Sequence, residues 1–180
     1  AHILRIVKRV TFPKTINIET TNLCNANCIF CPRTKLTRKK GIMGMGLFRL
    51  IIKRICSEKI PLEKIILNGF GEPLLDPFLF DRIQFIKQNS NFPIIFFSNG
   101  QLLSKDKSRR LISLGVEEIN ISFNAMFKED YEKTMRLDYN KTVKNIKDFL
   151  RLRRQLKACY PKIYISCVYS KRQKFDEKKF

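Results

Sequence analysis

Along this chain the spacing of hydrophobic positions switches repeatedly between a two-residue and a 3.6-residue period. TINIETT (15–21) alternates and is β-branched, which predicts a strand. Apolar side chains at 47, 48, 51, 52 and 55 form a helical stripe over 47–59, and Pro61 stops it. KIILNGFG (64–71) reads as a strand running into a glycine turn. Residues 78–88 read as a helix introduced by Asp76-Pro77, with Pro77 suited to a first turn. PIIFFSNG (93–100) predicts a buried strand, and 104–115 a helix capped by Ser104 and closed by Gly115. EEINISFNA (117–125) follows as a strand and KEDYEKTM (128–135) as a short helix. Residues 139–158 form a long amphipathic pattern, with Val143, Ile146, Phe149, Leu150 and Leu156 towards the core. KIYISCVYS (162–170) is the fifth strand. Residues 3–10 read as a strand-like or helical lead-in, and the segment 34–46, with three glycines and no apolar stripe, as a flexible loop.

Strand and helix alternate throughout, and the strands are apolar on both faces. This predicts an α/β fold with a parallel sheet of about five strands in right-handed βαβ units, helices on the outer face. Five strands are too few to close an eight-stranded barrel, so the expectation is an open, partial TIM-like (β/α) barrel. The 180 residues suffice for one core. The expected division is a lead-in (1–14), a single domain (15–170) and a polar tail (171–180). The first residue is Ala1, which suggests a processed or excised piece. No apolar run approaches the ~20 residues of a membrane span, and AHILRIVKRV is too interrupted by charge for a signal peptide.

Charge changes the picture only locally. The formal net charge is +20. Residues 65–127 are balanced, with six basic and six acidic side chains. The excess lies in 32–64 (ten basic, two acidic) and 128–180 (sixteen basic, seven acidic). A solvated basic surface explains it most simply; RNA or an acidic partner is the alternative.

The cysteines carry the chemistry. Cys24, Cys28 and Cys31 lie within IETTNLCNANCIFCPR (18–33), directly after the first strand, in a Cys-x3-Cys-x2-Cys run. Three thiolates can hold three irons of a cubane cluster and leave the fourth iron open to a ligand. A zinc site would want a fourth ligand, and the sole histidine, His2, lies outside any motif. Cys56, Cys159 and Cys167 are scattered singly, a usage that fits a reducing, cytoplasmic compartment. Glycine and polar turns recur at the later strand ends: GFGEP (69–73), Ser98-Asn99-Gly100, and Ser122 with Asn124. In parallel α/β sheets ligands bind at that edge.

Together these motifs resemble the radical S-adenosylmethionine (radical SAM) enzymes over about Thr15 to Ser170, with GFGEPLL, SNG and NISFNA closest to the group that often carries a SPASM-type extension. The resemblance implies that Cys24, Cys28 and Cys31 bind a [4Fe–4S] cluster whose open iron is chelated by SAM. It implies that Gly71, Glu72 and Pro73 hold the methionyl amino group, that Ser98 and Asn99 line the cavity, and that Ser122 and Asn124 meet the ribose and carboxylate region. Phe30 would lie beside the adenine, and Arg136, in a Tyr-x4-Arg spacing from Tyr131, near the SAM carboxylate. An external one-electron reductant of flavodoxin or ferredoxin type would feed the cluster. Reductive cleavage of SAM would give methionine and a 5′-deoxyadenosyl radical that takes hydrogen from a peptide, protein or small-molecule substrate. An RNA-modifying enzyme and a non-catalytic zinc or nucleic-acid module are the competing readings. Two features depart from the family pattern. The fifth strand lacks the Gly-x-Ile-x-Gly-x-x-Glu run, and a sixth strand is not visible.

Overall fold

A computed structural model describes residues 13–58, 60–125 and 127–168. Most of the lead-in and all of the polar tail lie outside the described residues, as does the end of the fifth strand segment.

Five parallel strands form one open sheet in the order β1-β2-β3-β4-β5. They are β1 (Thr15–Asn17), β2 (Lys64–Leu67), β3 (Ile94–Ser98), β4 (Glu118–Ser122) and β5 (Lys162–Ser166). The helices between them are α1 (Met45–Ser57), α2 (Leu79–Asn89), α3 (Lys105–Ser113), α4 (Lys128–Met135) and α5 (Tyr139–Gln155). Sequential strand order with right-handed crossovers puts the helices on one face. The sheet is the open, partial TIM-like arrangement that the alternating pattern predicts.

Local chemistry sets the element ends. The Ser104 hydroxyl accepts from the Lys107 N–H at 3.3 Å, and Gly115 takes a left-handed φ of 65° past the end of α3. The Asp138 carboxylate accepts from the Lys141 N–H at 3.0 Å and opens α5. The core lies between sheet and helices. Ile65, Leu67, Ile94, Phe96, Ile119 and Ile121 alternate along the strands and pack with Phe48, Ile52, Leu79, Ile83, Leu111 and Phe149. Their strand neighbours Ile66, Ile95, Phe97, Asn120 and Tyr164 take the other face, because strand side chains alternate.

Two expectations change. Leu150 and Leu156 are exposed at 37% and 43%, and the buried stripe of α5 is Thr142, Ile146, Phe149 and Leu152. Thr142 belongs inside because its hydroxyl bonds the Tyr131 hydroxyl (3.0 Å) and the Gln101 side-chain amide (2.7 Å). The segment 34–46 is pinned. After a 3-10 turn at Pro32–Lys35, the Asn22 side chain donates to the Lys39 carbonyl (2.9 Å) and accepts from the Gly41 N–H (2.7 Å). The Met43 N–H donates to the Thr20 carbonyl at 2.8 Å, and the buried Arg82 guanidinium, paired with Asp76, also reaches the Met43 carbonyl. Long-range partners supply the order that the local pattern lacks.

Candidate functional site

The carboxyl ends of β1 to β4 gather around a cavity of about 160 Å³. Cys24, Cys28 and Cys31 line it together with Phe30, Gly69, Gly71, Glu72, Ser98, Asn99, Ser122 and Asn124. Residues as much as 100 positions apart therefore meet, as the parallel topology requires. Of the residues singled out above, only Pro73 and Arg136 are not among those lining the cavity. Pro73 is buried at the first position of a 3-10 turn (Pro73–Leu75). Arg136 is exposed in a left-handed conformation (φ 55°) at the end of α4, one residue beyond Met135, which does line the cavity.

The cysteine loop is held from both sides. The Ile29 N–H donates to the Thr134 carbonyl at 3.0 Å. The Cys28 thiol lies 3.7 Å from the Met135 carbonyl and 3.6 Å from its sulfur. Asn99 donates to the Asn25 side chain at 2.9 Å and sits 3.9 Å from the Cys24 sulfur. All three thiols are free. Burial pushes the Cys24 thiol up, while its hydrogen bond from Ala26 works against this. Cys28 is pushed up to about 11, first by burial and then by Cys24 and Cys31. In the metal-free protein at pH 8, Cys28 should therefore alkylate more slowly than an unperturbed thiol by about tenfold or more, its low thiolate fraction being offset only in part by greater nucleophilicity. Residue-resolved iodoacetamide labelling followed by mass spectrometry measures this; an ordinary rate would show that the thiol is not buried among its neighbours.

Three free thiols lining one cavity suit a soft, multivalent metal group. Among the described residues no three His, Cys, Asp or Glu side chains are gathered tightly enough for a single metal ion. A tetrahedral zinc would draw its thiolate sulfurs to within about 4 Å of one another. A cubane instead takes each cysteine on a different iron, and three thiols lining one cavity fit that donor set.

Glu72 is 2% exposed and internally engaged. Its carboxylate accepts from the Ser98 hydroxyl at 2.8 Å, the Asn99 N–H at 2.8 Å and the Leu74 N–H at 3.1 Å. Burial pushes its pKa up, and these three donors oppose the shift. Its oxygens thus tie the GFGEP turn to the SNG turn, so the carboxylate expected to meet a cationic amino group already has three partners.

Gly71 answers a different constraint from ligand approach. A Cβ there would stand 2.1 Å from the Thr21 carbonyl oxygen and 2.9 Å from that of Leu23. The adjacent Glu72 N–H donates to the Leu23 carbonyl at 2.7 Å. Glycine lets the second strand's turn dock on the backbone that leads into Cys24. Gly71→Ala should lower unfolding stability by about 2–4 kcal/mol, measured by urea denaturation; an unchanged midpoint would contradict the close packing.

Several residues at the site escaped sequence reasoning. Glu19 accepts from the Phe70 N–H at 2.7 Å and pairs with Arg38. Asn22 pins the basic segment, and Met135 packs on Cys28. Asn124 donates to the Met135 sulfur at 3.2 Å and accepts from the Val168 N–H at 2.9 Å. Asn120, on the helix-free face below Ser122, buries a side-chain oxygen with no hydrogen-bond partner among the described residues. Only the polar run Thr20-Thr21-Asn22, ending two residues before Cys24, offered a local signal for any of them.

Known proteins share this fold. Residues 18–161 match the radical SAM superfamily. The chain is 29% identical over 133 residues to a probable GTP 3′,8-cyclase of Methanothermobacter thermautotrophicus, covering 73% of this chain and 42% of that protein. It is 27% identical over 137 residues to the S-adenosyl-L-methionine-dependent 2-deoxy-scyllo-inosamine dehydrogenase of Niallia circulans, covering 71% and 53%. The chain thus spans about half or less of these relatives' length. The structure of Streptococcus suis SuiB bound to S-adenosylmethionine superposes with a TM-score of 0.73 at 17% identity, covering 89% of this chain and 35% of that one. With three cysteines, a glycine-glutamate turn and two polar turns facing one cavity, and with this match across most of its length, the chain belongs to the radical SAM superfamily.

Proposed function

We propose that Cys24, Cys28 and Cys31 hold a [4Fe–4S] cluster and that the neighbouring turns hold S-adenosylmethionine against it. One observation carries the reading: the three thiols line the same cavity as Gly71, Glu72, Ser98, Asn99, Ser122 and Asn124. Held by these three thiolates, a reduced cluster would supply the one-electron chemistry by which SAM is cleaved reductively and hydrogen is taken from a substrate.

The protein's part is positioning. Glu72 fixes the backbone of Asn99 and of its own turn, leaving backbone carbonyls of the GFGEP turn for the methionyl amino group. Ser122 and Asn124 offer hydroxyl and amide groups to the ribose and carboxylate region, and Arg136 supplies a guanidinium from the rim. Phe30, 46% exposed at the mouth, offers a flat apolar surface to the adenine. The helix-free face below carries Phe97, which lines the cavity, and Asn120.

The test is anaerobic reconstitution with iron and sulfide, then dithionite and SAM. The expected result is a brown protein that forms methionine and 5′-deoxyadenosine. A colourless protein that binds one zinc and leaves SAM intact would overturn the proposal. Among the described residues no helix is long and apolar enough to cross a membrane.

A further inference from the structure

Met135 stands where three elements of the site meet. It is the last residue of α4 and is 2% exposed, yet it lines the cavity together with Cys28 and Asn124. Its sulfur lies 3.6 Å from the Cys28 sulfur and 3.2 Å from the Asn124 side-chain nitrogen. The left-handed conformation of Arg136 turns the chain away directly afterwards, so Met135 stays inside while its neighbour is exposed.

The hydrogen bonds fix which way the Asn124 amide faces. The Val168 N–H can only donate, so its partner at 2.9 Å is the amide oxygen. That turns the amide nitrogen to Met135, whose thioether can only accept. An apolar side chain of the same length would take this acceptor away. The loss would be felt, because Asn124 is only 5% exposed.

On its other side the end of α4 backs the cysteine loop. The Ile29 N–H donates to the Thr134 carbonyl at 3.0 Å, and the Met135 carbonyl lies 3.7 Å from the Cys28 thiol. Asn124 lies two residues beyond Ser122, the last residue of β4. One side chain thus joins the cysteine loop to the polar turn after β4, partners that are 107 and 11 residues away in sequence. A thioether suits both contacts: it is apolar enough to pack on a sulfur and polar enough to accept a hydrogen bond.

We propose that Met135 is a positioning residue whose bulk holds the Cys28 side chain in place for ligation and whose sulfur sets the Asn124 amide in the wall that S-adenosylmethionine meets. The inference rests on the radical SAM reading above and deepens it.

The experiment separates bulk from sulfur. In the metal-free protein, residue-resolved iodoacetamide labelling should find Cys28 reacting about threefold or more faster in Met135→Ala than in the wild type, with Cys24 and Cys31 unchanged. Met135→Leu keeps the volume and should leave the Cys28 rate where it is. In the reconstituted protein, calorimetric titration with S-adenosylmethionine should show Met135→Leu binding about threefold to tenfold more weakly, the worth of one hydrogen bond, at unchanged iron content. Asn124→Asp turns a second acceptor towards the sulfur, so in that background Met135→Leu should no longer weaken binding. A methionine that serves only as packing would cost the same in both backgrounds. Should Met135→Ala lose its far-ultraviolet circular dichroism, the Met135→Leu series carries the test by itself. Equal affinity of wild type and Met135→Leu, an equal loss in both backgrounds, or unchanged Cys28 labelling in a folded Met135→Ala would overturn the proposal. Failure of the radical SAM reading would show separately, as a wild type that takes up no iron and binds no S-adenosylmethionine, and the role of Met135 would fall with it.

Discussion

Replacing Cys28 with alanine should abolish cluster assembly and leave the fold intact. The side chain is half-buried, and its thiol contacts are two weak ones to Met135, so the cavity left by one sulfur costs about 1 kcal/mol or less. Its loss as a ligand is another matter. Two cysteines cannot fix a cubane that needs three protein thiolates, and no fourth cysteine lines the cavity. Iron after anaerobic reconstitution should fall from about 4 per chain to below about 1, with loss of the absorbance near ~400 nm, while the far-ultraviolet circular dichroism and the urea midpoint stay within error of the wild type. Retention of a full cluster would remove Cys28 from the ligand set. Unfolding of the metal-free variant would mean that the thiol is a core residue first.

Glu72→Ala should act in the opposite way, through the fold before the chemistry. Three buried donors, from Leu74, Ser98 and Asn99, lose their acceptor at once. Each unsatisfied donor costs about 1–3 kcal/mol, so a loss of about 3–5 kcal/mol is expected. For a chain of this size that is a fall in Tm of about 10 °C or more. Glu72→Gln keeps one acceptor oxygen but turns an amide N–H2 towards a donor, and should lose about half as much. A variant with unchanged stability and only weakened SAM binding would make Glu72 a direct ligand instead of a positioning residue. The pH dependence has a definite sign. Burial holds the folded Glu72 pKa above its unfolded value, so its titration contributes stability that is fully present below the unfolded carboxylate pKa. That contribution is lost as pH rises through the folded value. The stability advantage of wild type over Glu72→Gln should therefore shrink as pH is raised across this window, and an advantage that grew would mean that the three donors outweigh burial.

These two residues differ in how far a linear reading reaches. The Cys24–Cys31 spacing is local: the loop's ligand set is written in eight consecutive positions, and the structure brings all three thiols to one cavity. Glu72 is written in a local turn, yet two of its three partners lie 26 and 27 residues away. Its chemical type was readable, but the direction its carboxylate takes was not.

The sequence by itself determined the element order, the parallel α/β class and the cysteine loop, because helix and strand periods, caps and turn residues act within a few positions of one another. Ser104, Gly115 and the 128–135 helix stand where their local chemistry puts them. Only the tertiary structure decided that Gly71 is needed for backbone docking, that Thr142 is core, that Met135 packs on Cys28 and that Asn22 holds Lys39 and Lys40 on a rim. The physical reason is common to all four. Each depends on a contact between segments about 17 to 107 residues apart, where burial and hydrogen-bond satisfaction are set by the sheet that gathers the loops.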